Sequence, residues 1–194
     1  MTSPKPKSEF VRYLQALAAN PRKRGDLAHL RRGLGRPPGT VAEMYPLVIN
    51  ALPDDLNEWG EQMHYLITSL FALHPVSASQ GNMGTHFTDL GNPKEPPSEA
   101  LERRFITLLN ARSKNLYRIL PPIVNRFKAA NIPICWEQLL EDLQRWKHSE
   151  QRQKVRKQWA DAFWKRTVQL PGAASDAVTD DVQPQNQEQE RSMP

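Results

Sequence analysis

Arg22, Lys23 and Arg24, followed by Arg31, Arg32 and Arg36, place six cationic side chains within fifteen residues. A second basic run holds Arg103, Arg104, Arg112, Lys114, Arg118, Arg126 and Lys128. Arginine offers a planar fork of donors that matches phosphate oxygens, and lysine adds a mobile point charge. Neither run resembles a helix built to read base edges. The chemistry expected is contact with a nucleic-acid backbone, blind to sequence and sensitive to salt. Any one arginine is as readily a surface residue or half of an intramolecular ion pair. Arg103 and Arg104 fall in the first turns of a helix, where cations oppose the macrodipole. An anion or a local carboxylate such as Glu99 or Glu102 is expected beside them.

Catalytic chemistry finds less support. His29, His64, His74, His86 and His148 show no HExxH or other close metal spacing. One cysteine, Cys135, cannot build a structural zinc site. The glycines of RRGLGRPPG match neither GxGxxG nor GxxxxGK[ST], and no strand precedes them. Asp54 and Asp55 stand where a helix cap belongs. Ser69, Ser77 and Ser79 have no base partner in a motif. No enzyme activity, cofactor or metal is implied.

The elements that carry these residues read as helices. Ser8 is expected to cap a first helix bearing Phe10, Val11, Leu14 and Leu17, ended by Asn20-Pro21. Asp26 caps a second, short helix, and Thr40 with Glu43 forms a capping box for a third. Asp54 or Asp55 opens the longest clear helix, with Leu56, Trp59, Met63, Leu66, Ile67, Leu70 and Phe71 at helical spacing, closed by His74-Pro75. A Gly/Pro-rich connection follows, with a short helix near Thr85–Leu90. Ser98 caps the next helix. Pro121 and Pro122 predict a kink or restart within the one after it. Trp136 and Val155 mark the last two. Trp59, Trp136, Trp146, Trp159, Trp164, Phe105 and Phe163 fall mostly on apolar faces, Trp164 being the best candidate for exposure. The fold class is all-α, with about eight or nine helices in two small packed bundles. The expected divisions are an N-terminal bundle (1–75), a connection (76–97), a C-terminal bundle (98–170) and a disordered acidic, Gln-rich tail (171–194).

The chain has 194 residues and a net charge of +5. That value conceals blocks of +7 over residues 1–36, −8 over 37–102, +10 over 103–170 and −4 over 171–194. Such asymmetry suggests one surface for an anionic polymer and another for something else. The lone cysteine fits a reducing compartment. MTSPKPKSEF has no apolar leader, and no apolar run approaches the ~18 residues of a membrane span. A soluble, cytoplasmic protein is expected.

Six segments in order resemble the CasB family: DLAHLRRGLGRPPG (26–39), YLITSLFALHP (65–75), GNMGTHFTDL (81–90), ERRFITLLNA (102–111), IPICWEQLLEDLQRW (132–146) and VRKQWADAFW (155–164). CasB is the small subunit of the type I-E CRISPR surveillance complex, Cascade. The resemblance implies an all-helical, non-catalytic protein, present as a pair along the complex with CasA, CasC and CasE-type subunits. It also implies a basic face that steadies target DNA and its displaced strand once the guide RNA has paired, in antiviral defence. Arg31, Arg32 and Arg36 fall in the matching RRGLGR motif, and Arg103 and Arg104 in the matching ERRF motif. The alternatives are a helical scaffold whose acidic middle docks other subunits without touching DNA, and an independent helical DNA-binding regulator.

Overall fold

A computed structural model describes residues 9–91 and 95–167. The expectations for Ser8 and for the tail beyond 170 lie outside the described residues. Nine α-helices occur among them: α1 (Glu9–Ala19), α2 (Arg24–Arg31), α3 (Tyr45–Val48), α4 (Glu58–Leu73), α5 (Met83–Asp89), α6 (Glu99–Leu109), α7 (Leu116–Ala129), α8 (Trp136–Arg145) and α9 (Ser149–Thr167). Short 3-10 turns at Pro21–Lys23, Ala42–Met44, Ile49–Ala51 and Ser113–Asn115 connect them. The fold is all-α. An isolated parallel bridge between Ser77 and Ile134 is the one β contact among the described residues.

The central element is α4, which packs against α1, α2, α7 and α8. Eleven of its residues are buried, from Gly60 through Ala72. Its start is set by Asn57, whose side chain accepts from the Gly60 N–H at 2.8 Å, so neither Asp54 nor Asp55 is the cap. It is also not the longest helix; α9, with 19 residues, exceeds its 16. His74 terminates it and buries its ring, with Nε2 2.7 Å from the Ile132 carbonyl.

A second centre forms where α5 crosses α9. Gly84 makes that crossing possible: a methyl group there would overlap the Trp159 carbonyl oxygen and lie 2.8 Å from its carbon. Phe87 of α5, Phe105 of α6, Phe127 of α7 and Phe163 of α9 meet beside the crossing, all essentially without exposure. This aromatic cluster fixes the two helices that carry most of the second basic run. Edge-to-face contacts such as Phe87–Phe127, at 5.5 Å and 87°, add roughly 1 kcal/mol each beyond their buried area.

Several polar groups in the core find partners. Trp146 Nε1 donates to the Ala111 carbonyl (3.1 Å), and Trp59 Nε1 donates to that of Leu143 (3.0 Å). Asp142, 1% exposed, accepts from Trp159 Nε1 (2.6 Å) and Gln138 Nε2 (2.9 Å). Burial raises its pKa to about 6 against the pull of those donors.

Two local expectations about caps are corrected. Asp26 sits inside the first turn of α2, which opens at Arg24 without a side-chain cap. The Thr40–Glu43 box is absent: Thr40 Oγ1 donates to the Pro37 carbonyl (2.7 Å), and Glu43 faces Arg32. α7 runs without a restart through Pro121 and Pro122. The prolines leave the carbonyls of Tyr117 and Arg118 without their helical donors. Arg118 and Pro122 are exposed, so water can serve that side.

Candidate nucleic-acid interface

All thirteen basic residues singled out from the sequence are exposed. Their partners separate them into two kinds.

In the N-terminal run, Arg22 and Lys23 stand in a 3-10 turn that Asn20 caps, its side chain accepting from the Arg22 N–H at 3.0 Å. Lys23 Nζ pairs with Asp26 (3.0 Å). Arg24 opens α2. Arg31, its last residue, donates through Nε to the Ala72 carbonyl at 2.7 Å. That carbonyl lies in the last turn of α4, beyond those of Leu70 and Phe71 that accept from the His74 N–H, so Arg31 ties α2 to α4. Arg32 Nη1 reaches Glu43 Oε1 at 2.7 Å. A hydrogen bond from its own backbone N–H, then the Arg32 guanidinium, hold the Glu43 carboxyl below its ordinary range; Arg36 adds a smaller pull.

The glycines of RRGLGRPPG serve this geometry. A side chain at Gly33 would collide with Ser69 Oγ of α4 and with Met44 Sδ at 2.7 Å. Gly35 (φ 72°) and Gly39 (φ 80°) adopt left-handed backbone. The motif therefore closes a tight turn against α4.

In the C-terminal run, Arg103 pairs with Glu99 at 3.2 Å, as the local-carboxylate expectation required. Glu102 instead accepts from Trp164 Nε1 (3.3 Å). Arg104 Nη1 donates to the Ala100 carbonyl (3.1 Å). Arg118 lies 5.4 Å from the Tyr117 ring centroid, a cation–π contact. Arg126 and Lys128 occupy the last turn of α7, where the helix dipole favours cations. Arg112 and Lys114 lie in the connection between α6 and α7. Among the described residues, no ion pair involves Arg104, Arg112, Lys114, Arg118, Arg126 or Lys128.

Arg104 of α6 and Arg126 of α7 line one cavity of about 280 Å³. The sequence separates them by 22 positions and gave no sign of the juxtaposition. Lys154 of α9 is another exposed cation in no ion pair among the described residues. It was overlooked, although the +10 charge of residues 103–170 already pointed past Lys128. Its neighbour Arg156 donates to Asn110 Oδ1 (2.8 Å), and Lys157 and Lys165 both pair with Asp161.

Among the described residues, the tryptophans of α8 and α9 are not laid out as the exposed stacking platform that single-strand binders use. Trp136, Trp146 and Trp159 are fully buried. Trp164 is half-buried against Phe105 (5.4 Å) and Phe163 (5.1 Å). No group of three or more His, Cys, Asp or Glu able to hold a metal occurs among the described residues. Burial pushes the Cys135 thiol up, away from the thiolate a nucleophile needs. No helix among the described residues is long and apolar enough to cross a membrane.

Residues 26–164 match the family model for the CRISPR-associated protein Cse2. This chain is a member of the Cse2 family. The Cse2 match takes in all thirteen basic residues singled out from the sequence except Arg22, Lys23 and Arg24, which precede it. CasB from Thermus thermophilus superposes with a TM-score of 0.71 at 25% identity, covering 83% of this chain and 99% of that one. M. ruber CasB superposes at 0.66 with 28% identity, covering 84% and 95%. A chain of a solved CRISPR RNA-guided surveillance complex shares the Cse2 fold at 0.65 and 22% identity, covering 81% and 95%. No curated protein sequence matches. The CasB-like segments read from the sequence thus lie within a shared Cse2 fold.

Proposed function

We propose that this Cse2-family chain is a non-catalytic subunit of a CRISPR RNA-guided surveillance complex of the type I-E, Cascade kind. In it the chain grips nucleic-acid backbone and steadies the R-loop. The observation that carries the reading is the set of exposed cations on α6, α7 and their connection that are in no ion pair among the described residues: Arg104, Arg112, Lys114, Arg118, Arg126 and Lys128. Solvated charges concentrated without carboxylate partners suit a polyanion. Exchange of a DNA duplex for a guide–target hybrid is nearly balanced in free energy, so modest backbone contacts can tip it. Membership in the Cse2 family supports the assembly context, with CasA, CasC and CasE-type subunits, guide RNA and a second copy as the expected neighbours.

A scaffold without DNA contact is the competing reading, favoured by the way Arg31 and Arg32 engage the protein's own groups. Reconstituting the complex with R112A/K114A/R118A/K128A separates the two. The proposed role gives normal assembly and shortened R-loop lifetimes. Failed assembly, or assembly with undiminished R-loop lifetime, would favour the scaffold.

A further inference from the structure

The cavity between α6 and α7 has properties that the rest of the basic surface lacks. Arg104 and Arg126 reach it from separate helices, and neither is in an ion pair among the described residues. Arg104 uses one of its five donors on the Ala100 carbonyl, leaving the others free. Ser98 lines the same wall, and Leu90 and Leu101 supply an apolar side that lowers the local dielectric. Glu95 also lines the cavity, yet its carboxylate makes no ion pair with either arginine. The volume, about 280 Å³, is several times the ~30 Å³ that one water occupies in the liquid. A tetrahedral oxyanion with bridging waters fits.

We propose that this cavity is a phosphate-anchoring subsite, in which Arg104 and Arg126 together clamp one backbone phosphate of a bound nucleic-acid strand. The proposal rests on the backbone-binding function above and names where one phosphate is held. Two forks on one phosphate make the arginines interdependent, unlike cations strung along a groove that each meet a separate phosphate. Glu95 is an internal competitor that holds affinity down.

The test is fluorescence anisotropy of a labelled single-stranded oligonucleotide with the full chain, across salt concentrations. R104A and R126A are each expected to weaken binding about tenfold, the size of one lost charge-assisted contact. The double variant is expected to be little worse than either single, because one phosphate is lost once. The plot of log affinity against log salt should flatten by about one phosphate in all three. R112A/K114A, outside the cavity, should show additive losses. Both arginines are exposed, so the variants should fold; E95Q, which keeps both, should tighten binding about threefold by removing the competing charge. Additive losses at Arg104 and Arg126, undiminished binding in the double variant, or weaker binding in E95Q would overturn the subsite and leave general backbone binding standing. No oligonucleotide binding by the unaltered chain would overturn both. Inorganic phosphate in a thermal-shift arm identifies the source of the anion. Stabilisation by phosphate that the double variant loses, without any oligonucleotide binding, would mark a site for a free anion or an acidic protein and overturn the nucleic-acid assignment.

Discussion

The two basic regions look alike in sequence and behave differently in the fold. From residue 22 to 36, Lys23 pairs with Asp26, Arg31 holds the end of α4, and Arg32 pairs with Glu43. From 104 to 128, Arg104 and Arg118 have local contacts, yet no cation is in an ion pair among the described residues. Density of charge therefore does not report availability of charge. Arg31 and Arg32 of the RRGLGR turn are architectural, and the α6–α7 surface holds the larger set of exposed cations in no ion pair among the described residues.

The largest effect should come from loosening the α6–α7 surface through its core. Phe127 sits between Arg126 and Lys128, fully buried against Phe87. Phe127→Ala is expected to cost ~3–5 kcal/mol in chemical denaturation, and binding should fall with it. Next is a pH effect from the helices behind that surface. Asp142 titrates at about 6 in the fold and near 3.8 ordinarily, so the native state holds more protons than the unfolded state between those values. Stability should fall as pH rises through about 4 to 6, by roughly 3 kcal/mol at most, and level off above. Asp142→Asn, with Gln138 turning its amide to accommodate the new donor, should remove that dependence in urea midpoints measured at pH 5 and 7. A third comparison sets the regions directly against each other. Arg31→Ala orphans the Ala72 carbonyl and should cost ~1–2 kcal/mol, whereas Arg118→Ala should stay within about 0.5 kcal/mol. Thermal melts of the pair would break the contrast if the two costs were equal. The smallest expected effect is Glu43→Gln, which frees Arg32 and should raise oligonucleotide affinity slightly without altering the fold.

The helices themselves were legible because their apolar spacing is a local signal. Leu101, Phe105 and Leu108, or Trp136, Leu139, Leu140 and Leu143, announce one buried face each and are buried. Ser98 was legible as a cap for the same reason, its side chain accepting from the Leu101 N–H at 3.3 Å. Caps failed where several candidates stood close together: Asp54, Asp55 and Asn57 all satisfy the residue preference, and tertiary packing of α4 selected Asn57. Pro121-Pro122 bring no restart of α7, because proline's cost depends on which side of the helix meets water. The exposure of the arginines followed from their type. Their engagement did not, because the partner of Arg31 is a backbone carbonyl 41 residues away, and carbonyls carry no sequence signature. That Arg104 and Arg126 line one cavity depends on how α6 packs on α9 through Phe105–Phe163 and α7 on α5 through Phe87–Phe127, which no single segment encodes.

The central claim is that available charge lies on the α6–α7 surface and binds phosphate backbone. The salt dependence of single-stranded DNA binding tests it most directly, measured on the full chain between about 50 and 200 mM salt. Wild type, R112A/K114A/R118A/K128A and R32A/R36A are the three proteins to compare. Steep salt dependence is expected in wild type, a slope reduced by two or more phosphates in the quadruple variant, and a smaller reduction, at most about one phosphate, in R32A/R36A. A flat wild-type response, or a loss confined to R32A/R36A, would contradict the claim.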